Sequence, residues 1–309
     1  MSAPPKGKSI PMENTTKTVQ TPLLEIAYLE QGPADGRPIV LLHGWPDDAR
    51  TWDAVVGPLA QAGWRTLAPY GRGFGPTRFR DAHTRRSGQI TALAQDARDF
   101  ADALGLNEFT LVGHDWGGRA AYQFAANWPE RLEHLITLSV PYGGGPSQPM
   151  PPAQRRAYWY QWFFATEQAR HALESKDDRD ALCRFLWETW MPPQNFQEEW
   201  FTQAARSWDN PDWVAVTLHS YRHRWGLALP DPRYDALEAA QLLTPPITVP
   251  TALLHGAEDG ATLPAGTEGK EALFAAEYRR EVLPGVGHFP QRERPEAVVR
   301  AIIGGVTGG

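Results

Sequence analysis

Phe109-Thr110-Leu111-Val112-Gly113-His114-Asp115-Trp116-Gly117-Gly118 decides how this chain reads. The apolar run 109–112 predicts a buried strand, and residues 119–128 predict a helix. Between them Gly113-His114-Asp115-Trp116-Gly117 has the spacing Gly-x-nucleophile-x-Gly, and strand, tight turn and helix is the context that gives such a motif meaning. Aspartate stands where serine commonly does. A serine that attacks an acyl carbon forms an ester that water can cleave, but at a saturated carbon it would form an inert ether. An aspartate attacking saturated carbon forms an ester that water can cleave at the aspartyl carbonyl. The motif therefore points to hydrolysis at sp3 carbon, such as epoxide or carbon–halogen opening.

Outward from this segment, strands are expected at 23–30, 38–42, 64–68, 135–139, 249–254 and 278–283. Helices are expected at 48–62, 87–104, 268–276 and 295–303. In the second of these Ile90, Leu93, Ala94, Ala97, Phe100, Ala101 and Leu104 keep helical spacing, with Gly105 just beyond. Alternating strands and helices predict an α/β fold with a mostly parallel, doubly wound sheet. After Val140 the pattern changes. Residues 142–150 form a Gly/Pro linker, and 154–234 are helical and aromatic with no strand candidate. An all-helical insertion thus interrupts the sheet.

Eight of the 13 tryptophans, Trp159, Trp162, Trp187, Trp190, Trp200, Trp208, Trp213 and Trp225, fall in that insertion. Aromatic surface is buried there, against itself or a ligand. A net charge of −6 over 309 residues argues against nucleic acid or an anionic membrane surface as partner. No apolar run approaches the roughly 18 residues of a membrane span. The segment 1–22 lacks an apolar signal region and reads as a flexible arm. The lone cysteine, Cys183, allows no intramolecular disulfide, which suits the cytoplasm.

Two later motifs complete a chemical set. His255-Gly256-Ala257-Glu258-Asp259 follows the strand at 249–254, and Gly287-His288-Phe289 follows the strand at 278–283. Loops at the carboxyl ends of parallel strands converge on one crevice. The order nucleophile, acid, histidine makes His288 the base that activates water and Glu258 or Asp259 its supporting acid. His43-Gly44-Trp45-Pro46 follows the strand at 38–42. The loop in that position and the residue after the nucleophile supply oxyanion-hole amides, here Trp45 and Trp116. The Trp45-Pro46 bond is a candidate cis peptide. His114, His134 and His255, in or beside buried strands, read as structural. No cluster has metal-ligand spacing, and the glycines of 71–75 do not open a helix, so neither metal nor cofactor is expected.

Taken together, His43-Gly44-Trp45-Pro46, residues 113–118, Asp259 and Gly287-His288-Phe289 resemble the epoxide hydrolases of the α/β-hydrolase superfamily, over roughly residues 23–303. The resemblance implies a hydrolase core at 23–141 and 245–309 and a helical cap at 142–244. It favours Asp259 over Glu258 as the acid. It also implies two cap tyrosines that protonate the epoxide oxygen. Tyr160, in Tyr160-Gln161-Trp162-Phe163-Phe164, and Tyr221, before Arg222, occupy those positions, with Tyr142, Tyr158 and Tyr234 as competitors. Candidate substrate contacts are His43, Pro46, Trp162, Arg119 and Phe289, and the substrate is expected to be a small apolar or aryl epoxide. Two rival readings stand. Haloalkane dehalogenases also carry Asp-Trp, and fluoroacetate dehalogenases grip a carboxylate with two arginines at the Trp116 and Arg119 positions, of which this chain keeps one. Arg119 otherwise reads as a structural ion pair. A catalytically idle hydrolase fold that binds a ligand is the alternative from another class.

Overall fold

The computed structural model describes residues 16–143 and 150–305. Among the described residues nine strands form one sheet: β1 (Thr16–Gln20), β2 (Leu24–Gln31), β3 (Arg37–Leu42), β4 (Trp64–Pro69), β5 (Arg78–Phe79), β6 (Phe109–His114), β7 (Leu132–Leu138), β8 (Thr251–Gly256) and β9 (Tyr278–Leu283). The order is β1-β2-β4-β3-β6-β7-β8-β9, with β5 beside β2. From β4 to β9 every pairing is parallel, while β1, β2 and β5 add an antiparallel edge. The connection from β3 to β4 runs to one side of β3 and the next strand, β6, lies on the other. The strand order therefore reverses at β3, and loops at that point open a crevice at the carboxyl ends.

Each central strand is apolar on both faces because helices cover both. Val40, Leu42 and Leu111 pack with Phe100, Ala120 and Phe124 of the helices Ile90–Ala103 and Trp116–Asn127. Ile39, Leu41 and Val112 point the other way, onto Val55, Leu59 and Val298 of the helices Asp53–Gln61 and Pro295–Ile303. The period-2 alternation of a strand assigns neighbours to opposite cores.

Between β7 and β8 the described residues hold helices and turns but no strand. The longest helix is Lys176–Trp190, whose Ser175 side chain accepts from the Asp178 amide at 3.4 Å and whose first turn carries Asp177 and Asp178. Acidic residues there offset the helix dipole. A third apolar cluster joins this insertion to the sheet through Trp45, Trp116 and Phe289. Polar ties add to it. Trp208 Nε1 donates to the Pro46 carbonyl, and Ser207 donates to Asp48, which also caps the turn Ala49–Trp52. Beside Asp48, Asp47 takes two 2.6 Å bonds from Arg292.

Three expectations change. Thr16–Gln20 was read as part of a flexible arm but is a strand, paired with residues 25–29; residues 1–15 lie outside the described ones. Residues 268–276 form no α-helix. Short 3-10 turns occupy Pro264–Thr267 and Glu271–Leu273 instead, with Gly269 at φ 63° between them. That left-handed residue stops helix propagation. The helix expected from residue 48 begins as a 3-10 turn and becomes α-helical only at Asp53. No helix among the described residues is long and apolar enough to cross a membrane.

Candidate active site

Asp115 sits between β6 and the helix Trp116–Asn127 with φ 47° and ψ −112°. Such a conformation costs a non-glycine residue about 1–3 kcal/mol and persists only where the surroundings impose it. Here glycines impose it. A Cβ on Gly113 would lie 2.3 Å from the Gly117 carbonyl oxygen, one on Gly117 would lie 2.4 Å from the Leu42 carbonyl oxygen, and one on Gly44 would lie 2.5 Å from the Asp115 Cβ. The close approach of the two loops lets the Trp45 amide donate to Asp115 Oδ1 at 3.0 Å. Trp116 opens the helix, so its amide belongs to the first turn, where N–H groups have no intrahelical acceptor. The Trp45-Pro46 bond is cis.

His288 faces the other carboxylate oxygen, with Nε2 3.9 Å from Asp115 Oδ2. Its Nδ1 is 2.8 Å from Asp259 Oδ2. Asp259 in turn accepts from the amides of Ala261 (2.8 Å) and Thr262 (3.0 Å) and contacts His255 Nε2 at 3.0 Å. Burial alone would drive the Asp259 carboxyl toward its neutral form. The charge of His288 and the hydrogen bonds from His255 and His288 outweigh that and hold it well below the usual carboxylate range. Burial likewise favours neutral His288, but the charges of Asp259 and Asp115 raise it above its ordinary value. His114 is driven the opposite way, to about 4, by burial and by His288, whose carbonyl it contacts at 2.7 Å. Glu258 lies apart and accepts from the Gly285 amide, so Asp259 is the acid that reaches His288.

Across from the carboxylate, Tyr160 stacks on the Trp45 ring (5.8 Å, 4°) and Tyr221 meets the same ring edge-on (5.3 Å, 84°). The two phenols are 5.5 Å apart at the ring centroids and within hydrogen-bonding reach of each other. Burial first, then the Asp115 charge, raises Tyr160; burial, Tyr160 and Asp115 raise Tyr221. Both are held as protonated phenols, each feeling the carboxylate.

A sequence profile described as the alpha/beta hydrolase fold matches residues 37–295. The chain belongs to the α/β hydrolase fold family. A crystal structure from Klebsiella pneumoniae, described as a candidate epoxide hydrolase, is 39% identical with a TM-score of 0.89, covering 93% of this chain and 96% of that one. Epoxide hydrolase 3 of Xenopus tropicalis is 26% identical over 89% of this chain and 72% of its own length. The AB hydrolase superfamily protein YfhM of Bacillus subtilis is 30% identical over 74% of this chain and 76% of its own.

The other expected substrate contacts of this hydrolase have partners within the chain. His43 uses both ring nitrogens on the chain, Nδ1 to the Gly44 carbonyl and Nε2 from the Gly71 amide, each at 2.9 Å. It fastens two loops. Pro46 offers its carbonyl to Trp208. Trp162 is 41% exposed and packs on Trp225 at 4.1 Å. Phe289 is buried against His114, His288 and Trp187, where it backs the base. Arg119 forms no ion pair among the described residues; its Nη2 is 3.4 Å from the Tyr158 hydroxyl, and it lines a cavity. Of the competing tyrosines, Tyr142 donates to the Pro245 carbonyl and Tyr234 sits with Arg72, so neither faces Asp115.

Three supporting residues were not singled out. Trp190 accepts the His288 amide at 2.9 Å and lays its ring 5.1 Å from the imidazole. Glu293 accepts the amides of Gly287 (2.8 Å) and Phe289 (3.0 Å), bracketing His288. Gln161 Nε2 donates to the Tyr160 hydroxyl at 3.0 Å. A signal existed for Gln161 alone, since it adjoins Tyr160. Trp190 is one aromatic among many, and Glu293 gains meaning only from the turn at Pro290–Glu293.

Proposed function

We propose that this protein is an epoxide hydrolase that opens its substrate to a vicinal diol through an ester on Asp115. One observation carries the reading: a carboxylate, flanked by a histidine–aspartate pair on the core side, faces two protonated phenols on the cap side. Its relatives named epoxide hydrolases support it. Residues 23–141 and 245–309 serve as the hydrolase core and 142–244 as its cap.

Trp45 holds Asp115 Oδ1, so Oδ2 is the oxygen left to attack a ring carbon. The C–O bond breaks as the aspartyl ester forms, and of Tyr160 and Tyr221 one gives its proton to the departing oxygen while the other holds that oxygen by a hydrogen bond. An alkoxide is too basic to leave without such a donor. His288 Nε2 has no hydrogen-bond partner among the described residues and removes a proton from water that attacks the aspartyl carbonyl. Asp259 stabilises the resulting imidazolium. The amides of Trp45 and Trp116 hold the tetrahedral oxyanion, which collapses as the proton of the re-formed Asp115 carboxyl passes to the expelled ester oxygen; the diol leaves, and the proton held by His288 returns to the phenolate. The rings of Trp45, Trp190 and Phe164 around the tyrosines fit an apolar or aryl epoxide. A buried Cys183 without a partner thiol is compatible with a reducing cytoplasm.

Trp116 Nε1 is buried without a partner, as a halide-binding indole would be. Trp52, Trp187 and Trp213 share that state, so it does not single out a halide site. The test is to incubate the protein with styrene oxide, a chloroalkane and fluoroacetate, measuring diol and halide separately. Diol from styrene oxide is expected. Halide release without diol from any epoxide would assign the chain to dehalogenation.

A further inference from the structure

A cavity of about 770 Å³ lies between the helix Trp116–Asn127 and the cap. Its wall includes Arg119, Gln154, Tyr158, His223, Arg224 and Trp225. Two guanidiniums in that wall are left short of partners. Arg119 Nε and Arg224 Nη2 are buried with no hydrogen bond. The contacts they do make are long ones to neutral oxygens, Arg119 Nη2 to the Tyr158 hydroxyl and Arg224 Nη1 to Gln161 Oε1, each at 3.4 Å. Neither forms an ion pair among the described residues. Residues 144–149, between Gly143 and Met150, include no acid. The acids on the same wall are engaged elsewhere, Glu238 with Gln89 and Thr91, Glu268 with Arg280. Burial and the like charge of Arg119 both disfavour the charged form of Arg224. An arginine nonetheless stays charged in proteins, so this pair is a half-buried cationic site with no ion-paired acid among the described residues, Asp115 being the acid whose charge reaches Arg224.

The position of the pair is set by two helices. Arg119 lies four residues after Asp115, and its amide bonds to the Asp115 carbonyl at 2.9 Å. Arg224 lies three residues after Tyr221 on the helix Trp213–Arg224, with its guanidinium 5.3 Å from the Tyr221 ring. Each arginine is therefore one helical turn, about 5 Å of rise, beyond a residue of the reaction site.

We infer that Arg119 and Arg224 bind the carboxylate of an anionic epoxide, so that the substrate class is an epoxide with an acid group a few bonds from the ring. The inference rests on the epoxide reading above and adds the group that selects among epoxides. Guanidinium forks match a carboxylate with paired, charge-assisted hydrogen bonds. Gln161, which touches both Arg224 and the Tyr160 hydroxyl, ties occupancy of this site to placement of one proton donor.

Binding and turnover test this separately. Calorimetry with unreactive cinnamate and cinnamamide, equal in shape and different in charge, reads the anion site without chemistry. The acid is expected to bind roughly 10- to 100-fold more tightly, as a charged hydrogen-bonded contact would give. Arg224→Gln should erase the preference, and Arg224→Lys should keep part of it. In turnover, 3-phenylglycidate should be preferred over its amide, and the acid-to-amide ratio of kcat/KM should fall by a similar factor in Arg224→Gln. Equal binding and equal turnover of acid and amide, with diol still formed from styrene oxide, would overturn the anion site and leave the epoxide reading standing. Charge-selective binding lost in Arg224→Gln, with no diol from any epoxide, would do the reverse.

Discussion

The two sides of the site hold their polar groups in opposite ways. On the core side Asp259 accepts from two amides and meets two histidines, and the chain on both sides of His288 is pinned by Glu293. On the cap side Tyr160 has one side-chain donor and Arg224 keeps a buried nitrogen without a partner, as Arg119 does on the core helix Trp116–Asn127. The bonds around Asp259 and His288 Nδ1 fix the base within the narrow tolerance that its chemistry needs, and leave His288 Nε2 open for water. The unpaired guanidinium nitrogens leave capacity for whatever the substrate brings. The nucleophile and base thus belong to the sheet's loops, and the proton donors and Arg224 to the inserted helices.

Breaking the core side should have the largest effect. Asp115→Ala is expected to abolish turnover, by on the order of 10⁴-fold or more. His288→Gln should permit the first step and block the second, so mass spectrometry of the intact protein should show the substrate's mass added at Asp115. Absence of the adduct would mean that water attacks the epoxide directly. On the cap side, Tyr160→Phe with Tyr221→Phe should slow ester formation by about 10²–10⁴-fold, the range of lost general acid catalysis. Hydrolysis of a preformed ester should change little. Equal loss in both steps would show that the tyrosines shape the site and do not donate protons.

A pH profile sharpens the contrast. Neutral His288 is the base, and Asp259 raises its pKa above the ordinary 6.5. Ester hydrolysis should therefore weaken as pH falls through that raised value, with the acid limb above 6.5. Asp259→Asn should move the limb to lower pH while lowering the rate. An unmoved limb would detach Asp259 from the base. The smallest expected effect concerns the seam itself. Asp48, which takes a hydrogen bond from Ser207 of the cap, is raised to about 7 by burial and by Asp47. A raised folded pKa means that wild-type stability falls as pH climbs from the unfolded value near 3.8 toward 7. Asp48→Asn lacks that loss, so its advantage in Tm should be larger at pH 8 than at pH 5. A constant difference would show that Asp48 does not titrate across this range.

What the sequence made legible follows the same division. The turn at Asp115, the strands beside it and the pairing of His288 with Asp259 were readable because fixed spacing and short apolar runs encode them locally. Thr16–Gln20 was not, since five half-polar residues become a strand only by pairing with β2. The segment 268–276 had helical composition, but the left-handed Gly269 broke it. His43, Trp162 and Phe289 were expected at the substrate because they flank the motifs. Their directions were set by distant partners, Gly71, Trp225 and Trp187, which no local pattern reveals. Arg224 escaped notice because its significance is a missing partner, and absence of a counter-charge has no sequence signature.

The insertion leaves after β7 and returns at β8, two strands that pair directly. The ends of that long connection are held together by the sheet whatever lies between them. Closing a flexible loop costs entropy that grows only with the logarithm of its length, about 0.6 kcal/mol per doubling. Residues 139–250 therefore put little more strain on the sheet than a connection half as long. Helices can be lengthened, shortened or exchanged there while the strand register that carries Asp115, Asp259 and His288 stays as it is.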